Sequence, residues 1–456
     1  MADARSLAVR GALPVLQQLK LGRCTVEIGP AEAQALNHLL GWLTEVALPD
    51  RSRSVPVPLE MDDESKYMLD GYNEHFSQPE PEYKRGQALG PPLSSAWQDT
   101  ILLVTVKRLG SKWLAKTLAS KKTKGSTEAL SAELAETVFD WSAFDAVRIN
   151  ELSAGRPLEV TAHAVLSKLG VVERLRLNRA KLSAYLGAVE RLYKPENPYH
   201  SNTHAADVVQ GVACVIDCDG LVSRLTDLEA LALVLAAVIH DAGHPGVNNA
   251  YLVRVVQAPA IVYSDLAVNE YGHLALAFET LFHHHEYNFF ADMPEDDWRF
   301  VRRTVVELVL GTDMAQHTKD LASFTSTAKL LGGDFGTWEG ESRALALRFL
   351  LHACDISNPA RPWHVCREWA ARITRENFEQ GDKERAQGLQ VSPICDREKA
   401  NPLKGQLVFA TLFVRPTWEA VGLLCPRLSA TALAHVGANA ARYEKLLAQG
   451  LTDIPA

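Results

Sequence analysis

Most of the features that classify a sequence quickly are scarce in this 456-residue chain. Cysteine is sparse: seven residues and no CxxC pair, which argues against a disulfide framework and a thiolate zinc knuckle. Cys214 and Cys218, four apart, read as a core pair on one helix face, and all seven as reduced thiols of a cytoplasmic protein. The start lacks the charged-then-apolar pattern of a secretion signal. Long hydrophobic runs are also missing. The longest, around Leu228 to Ile239, is too short to span a bilayer and reads as a buried helix. Positive charge is not in excess. The net charge of -8 argues against a nucleic-acid partner, whose binding surface is normally basic. Finally, neither a sustained alternating strand pattern nor an internal repeat is found.

What is present is apolar periodicity. Hydrophobic residues make up 47% of the chain, enough for a large core. Leu36, Leu39, Leu40, Leu43 and Val46 recur at helical spacing, so residues 1–48 read as an N-terminal helical segment. Its stripe either packs on the rest of the protein or serves a homodimer or partner helix. Seven of the 22 prolines fall between Pro49 and Pro92, which makes 49–96 a mostly irregular linker. Residues 97–137 regain periodicity as a helical connector. Lys121, Lys122 and Lys124, beside Gly125, read as a solvated turn. From Val138 to the end the helical period is nearly unbroken, and 138–456 is expected to be one all-α domain. Within it, Asn178 is expected to cap a helix carrying Leu182, Leu186, Val189 and Tyr193. Residues 227–240 should form a central helix opened by Asp227.

Histidine carries the chemistry. Eight of the 15 histidines lie between His200 and His285. His200 and His204 are four apart and would share a face of one helix; Asp207, three further on, could fix an imidazole tautomer. His240-Asp241 ends the apolar helix, His244 follows, and Pro245-Gly246 stops the chain there. Asp355 lies in a third apolar stretch and needs a partner. Polar ligands ending a core helix are costly unless a cation compensates them. Together these elements offer two histidines and two carboxylates, a set suited to Zn²⁺ or Mn²⁺ with open positions for water. Asp241 has two oxygens and could bridge to a second, harder ion such as Mg²⁺. Water held between two cations would be hydroxide near neutral pH, a nucleophile fit for a phosphodiester.

At these residues the sequence resembles the class I 3′,5′-cyclic nucleotide phosphodiesterases, a branch of the HD-domain metallohydrolases. The resemblance covers roughly residues 138–430. Its blocks are Tyr199 to Val208, His240 to Gly246, Thr312-Asp313-Met314 and His352 to Pro359. They continue through Gln380-Gly381-Asp382, Ser392 to Asp396 and Gln406 to Phe409. It implies a compact multi-helix HD-type catalytic domain behind a partly irregular N-terminal extension. His204, His240, Asp241 and Asp355 would hold Zn²⁺, and Asp241 would reach a second Mg²⁺ or Mn²⁺. His200 would be the general acid for the leaving O3′, kept cationic by Glu270. His244, Asn249 and Thr312 would contact waters around the metals. Gln406 would bond the purine edge and Phe409 would stack on the base. Trp418 also matches, as a packing residue. The chain departs from the family at Gly243, where Asp is usual, and in Asn269-Glu270-Tyr271-Gly272-His273, where one histidine is gone. The first implies a local change; the second bears on phosphate contacts. The His283-His284-His285 run reads as a solvated helix end.

Asn358 follows Asp355-Ile356-Ser357, an arrangement common among cAMP-preferring members, and could pair with the adenine edge. Two competing readings remain at this level. One is an HD-domain phosphohydrolase acting on nucleoside triphosphates, against which Gln406 and Phe409 argue. The other is a catalytically impaired module that binds cyclic nucleotide.

Overall fold

In the computed structural model, residues 124–455 are described. The expected segments 1–48 and 49–96, the stripe offered for a dimer, and most of 97–137 therefore lie outside the described residues. Within them the protein is all-α: no strand occurs among the described residues, and no helix there is long and apolar enough to cross a membrane. The principal helices are α1 (Lys124–Thr137), α2 (Pro157–Leu169), α3 (Arg179–Glu190), α4 (Asn202–Asp217), α5 (Asp227–Ile239), α6 (Asn249–Arg254), α7 (Val268–His283) and α8 (Glu295–Leu310). They continue as α9 (His317–Leu331), α10 (Gly340–Asp355), α11 (Trp363–Ala386), α12 (Pro402–Phe409), α13 (Arg415–Val421) and α14 (Pro426–Ala448).

Lys124 and Gly125 open α1; they do not form the turn expected there. Leu130 and Leu134 of α1 join Phe144, Ile149, Val365 and Trp369 in one apolar cluster. The final turns of the region read as a connector are thus tied to α11, which lines the site described below.

The centre of the molecule is α5. Its run from Ala230 to Ile239 is buried throughout, as an apolar sequence on every face demands. Thr226 caps it: the Thr226 hydroxyl accepts from the Glu229 N–H, and Glu229 Oε2 accepts from the Thr226 N–H at 2.8 Å. The helix opens at Asp227, as expected. Asn178 caps α3 as expected, accepting from Lys181 N at 3.1 Å.

Helix α4 packs between α2, α5 and α10. Gly211 permits the last contact. A Cβ built there would lie 3.2 Å from Cys354 Cβ, tighter than ordinary packing. Backbone contact at Gly211 therefore brings the C-terminal turn of α10, with Asp355, against the helix that carries His204. Trp418 is fully buried and meets Trp141 edge-on at 4.7 Å, a packing role. Cys214 is a buried core residue bonded by Gln210, and Cys218 packs partly buried against the same core. Helix α7 ends at His283; the His283 and His285 side chains stand in solvent, and His284 is partly covered.

Candidate metal-binding active site

Three helix ends converge on one site. His204 lies in the first turn of α4, His240 caps α5 with Asp241 next to it, and Asp355 is the last residue of α10. His200 does not share a helix with His204. It precedes α4, whose N-cap is Ser201, and the two rings meet edge-on with centroids 6.2 Å apart. A turn, and not the helical period, aims both at the pocket.

The four groups converge tightly. His204 Nε2 is 2.9 Å from Asp355 Oδ1 and 3.8 Å from Asp241 Oδ2. His240 Nε2 is 3.3 Å from both Asp241 Oδ2 and Asp355 Oδ1. The tautomer of His240 follows from its other nitrogen. Nδ1 sits 2.9 Å from the Ala237 carbonyl, an acceptor, so Nδ1 carries the hydrogen. Nε2 is buried without a hydrogen-bond partner and faces two carboxylate oxygens. A neutral His240 would thus present a lone pair to two acceptors, and only a cation or an added proton satisfies all three. Charge-assisted N–H···O contacts run about 2.7–2.9 Å, so 3.3 Å is long for a shared proton. It suits ligands that share a metal bound at about 2.0–2.2 Å. Burial works against charge on His240, yet Asp241 and Asp355 hold its imidazole well above the ordinary range. Asp241 is held well below its range by His240 and His200 despite burial. The donor set fits a divalent metal cation.

A second converging set lies alongside: Asp241, His244 and His273, each buried. His273 Nδ1 donates to the Ala242 carbonyl at 2.8 Å, so its Nε2 faces Asp241 Oδ1 at 3.7 Å with a lone pair. Burial pushes His273 down to about 4. Sequence reading left His273 without a role; it is the histidine that survives in the altered block. Gly272, where the family's other histidine stands, does not line the pocket, and a Cβ there would meet nothing within 4 Å. Gly243 adopts φ +79°, and a Cβ there would lie 2.4 Å from Leu276 Cδ1, so Leu276 occupies the space a larger residue would need.

The partner of His200 is Glu376, not Glu270. His200 Nδ1 is bonded to Glu376 Oε1, and Glu376 Oε2 accepts from the backbone N–H of Tyr199 at 2.9 Å and of His200 at 3.1 Å. Burial opposes a charge on His200, but Glu376 and Asp241 raise it to about 9. Glu376 falls to about 2: burial opposes, and His200 lowers it more. Glu270 accepts from Asn249 Nδ2 at 2.9 Å and is pushed up to about 8 by burial and by Asp313. It lines the pocket with Asn249 and Thr312, whose hydroxyl donates to Val309 O at 2.8 Å. Glu376 was legible in principle, since it lies four residues before Gln380, on the same face of α11. His244 stacks on His200 with centroids 3.9 Å apart, and Asn197 donates to both of their carbonyls.

Asp207 does not set the His204 tautomer. It sits 3.2 Å from Arg361 and accepts from Asn358 Nδ2 at 3.2 Å. Asn358, Gln406 and Phe409 line the same pocket as His200 and Asp241. Phe409 stacks on Phe413 with centroids 5.5 Å apart.

An all-α fold with histidine–aspartate pairs at converging helix ends defines a protein of the HD type. The family model for 3′5′-cyclic nucleotide phosphodiesterase matches residues 199–436. The chain belongs to that family. It is 36% identical over 296 residues to 3′,5′-cyclic-AMP phosphodiesterase 4C of Mus musculus, covering 64% of this chain and 43% of that protein. It is 34% identical over 298 residues to the probable 3′,5′-cyclic phosphodiesterase pde-1 of Caenorhabditis elegans, with 65% and 44% covered. A third relative is the dual specificity calcium/calmodulin-dependent 3′,5′-cyclic nucleotide phosphodiesterase 1C of Mus musculus, 34% identical over 279 residues, with 61% and 38% covered. The chain thus spans roughly half or less of the length of these relatives. Among solved structures, the phosphodiesterase domain of Salpingoeca rosetta rhodopsin phosphodiesterase superposes with a TM-score of 0.64. It is 27% identical, and the match covers 70% of this chain and 95% of that one.

Proposed function

We propose that this chain hydrolyses 3′,5′-cyclic nucleotides to nucleoside 5′-monophosphates, with cAMP preferred over cGMP. The observation that carries the reading is the convergence of His204, His240, Asp241 and Asp355 opposite the His200–Glu376 pair. The same pocket ends in Gln406 and Phe409. His204, His240, Asp241 and Asp355 would hold Zn²⁺. Asp241 would also face a second cation, Mg²⁺ or Mn²⁺, beside His273. When bound, the two cations supply Lewis acidity toward the phosphate and a nucleophile from water.

The protein's own groups do the rest. His200 enters the reaction as an imidazolium, since Glu376 keeps it protonated to about pH 9. It delivers that proton to O3′ as the P–O3′ bond breaks, and Glu376 stays ionised throughout. His244, stacked on His200 and held well below its usual range by burial and by His200, stays neutral and does not compete as a donor. Phe409 offers a flat face to any purine, and Gln406 offers a donor and an acceptor to its edge. The name of the first relative, a cyclic-AMP phosphodiesterase, supports cAMP as the substrate. A cytoplasmic setting accords with six described cysteines that are all free thiols.

The test is steady-state hydrolysis of cAMP and cGMP side by side, with Mg²⁺ and with Mn²⁺, on the full chain. Faster conversion of cAMP to 5′-AMP supports the proposal in full. Faster cGMP hydrolysis keeps the reaction and removes the preference. Tight nucleotide binding without turnover by the metal-loaded protein replaces the proposal with a binding module.

A further inference from the structure

A fully buried guanidinium lies behind the pocket, at the end of the short turn that carries Asn358. Arg361 stacks its guanidinium 3.9 Å from the ring centroid of Trp141 and donates to the Trp141 carbonyl at 3.1 Å. Its other terminal nitrogen donates to the Asp207 carbonyl at 3.2 Å and stands 3.2 Å from Asp207 Oδ1. The second carboxylate oxygen, Oδ2, accepts from Asn358 Nδ2 at 3.2 Å. At the other end of the same amide, the Tyr199 hydroxyl donates to Asn358 Oδ1 at 2.5 Å. Tyr199 and Asn358 line the pocket; Asp207 and Arg361 do not.

The direction of the amide is set by chemistry. An ionised carboxylate accepts and cannot donate, so the NH₂ end of Asn358 must face Asp207. The carbonyl end must then face Tyr199. What remains for a base is one N–H and one lone pair, in a fixed order. Adenine presents an amino donor where guanine presents a carbonyl acceptor. A fixed amide suits one of them and misfits the other. The lock holds while Asp207 is charged; burial raises its carboxyl above the ordinary range, and Arg361 is the largest influence holding that rise in check. A protonated Asp207 could donate as well as accept, and the amide would be free to turn over.

We infer that Arg361 is a positioning residue for nucleotide discrimination: through Asp207 it locks the direction in which Asn358 presents its amide to the base. The inference rests on the reading of the pocket as a cyclic nucleotide site. Trp141, which buries the guanidinium, lies before the residues matched by the family model, so a segment outside the motif blocks anchors the lock.

The experiment is kcat and KM for cAMP and cGMP on the full-length chain, wild type, R361K, and the double variant D207N/R361M. The double variant removes both buried charges together and leaves neither orphaned. Melting temperature is measured alongside. R361K should lose thermal stability and keep the wild-type ratio of kcat/KM for the two nucleotides. The double variant should lose at least about fivefold of that ratio, through KM, with kcat within about threefold, the scale of one misdirected buried hydrogen bond. A folded double variant with the wild-type ratio overturns the inference. So does R361K if its ratio falls in step with its stability, and so does a wild-type chain that turns over both nucleotides equally. Absence of hydrolysis of either nucleotide by the metal-loaded wild type defeats the reading of the pocket, and the inference with it.

Discussion

Glu376 binds His200 twice over: one carboxylate oxygen takes the ring Nδ1 hydrogen, and the other takes the backbone N–H of the same residue. The backbone contact fixes where the ring starts, and the ring contact fixes how it turns. Helix α11 thereby controls an imidazole that is held cationic and is partly open to the pocket.

Glu376→Gln should move the alkaline limb of the pH–rate profile. The folded pKa of His200 is about 9, raised from 6.5. The proton donor is thus intact through pH 8 and is lost as pH rises through about 9. With a neutral amide at 376 the limb should slide toward the ordinary histidine range. The loss in kcat should be small at pH 6 and roughly tenfold or more at pH 8.5. The pair's stability contribution follows the same sign: present below pH 6.5 and lost as pH climbs through about 9. A profile of kcat against pH checks this, and an unmoved limb rejects it.

His200→Ala should keep metal and fold while kcat drops by about 10²–10⁴, the range for a lost general acid. Glu270→Gln is the informative control. Glu270 bonds Asn249 and not His200, so this change should leave the alkaline limb near pH 9 even if it lowers activity. A limb displaced equally by Glu270→Gln and Glu376→Gln would return Glu270 to the role expected from sequence.

The outline of the site was legible because chemistry concentrates in short blocks. His204, His240, Asp241 and Asp355 sit beside helix ends that apolar periodicity already marks. The assignments that failed required three-dimensional direction. His200 and His204 looked like neighbours on a helix, yet α4 begins at Asn202. Glu270 and Glu376 both lie on helices that reach the pocket, and no spacing rule says which carboxylate meets His200 across 176 residues of chain. Asp207 lies within one turn of His204 but turns toward Arg361, a long-range partner that local spacing does not register.

Gly211→Val tests how the fold sets the metal geometry. The new side chain would enter the α4–α10 contact, where even a Cβ lies 3.2 Å from Cys354 Cβ. Overpacking of this kind costs about 1–3 kcal/mol. Because Asp355 ends α10 one residue beyond Cys354, separating the helices should also pull Asp355 from His204. The expected outcome is a lower melting temperature together with weaker Zn²⁺ retention in metal analysis. Lower stability with wild-type metal content would uncouple the packing from the site.

Asp241→Ala bears on both cations at once. Asp241 Oδ2 faces His240 and His204, while Oδ1 faces His273. Among the described residues, no other side chain belongs to both converging groups through two different oxygens. Removing it should strip the metal content of the purified chain from two cations to well under one. It should also abolish the thermal stabilisation that added metal gives the wild type, about 2.7 kcal/mol for a ligand present at a hundredfold its Kd. A local alternative is that His204, His240 and Asp355 retain Zn²⁺ unaided, since three ligands can suffice for a catalytic zinc. In that case metal analysis would find zinc kept and only the second cation lost, and Asp241 would belong to the second site alone. Full retention of both would remove Asp241 from metal binding and would leave its position between three histidines as an ordinary buried ion-pair cluster.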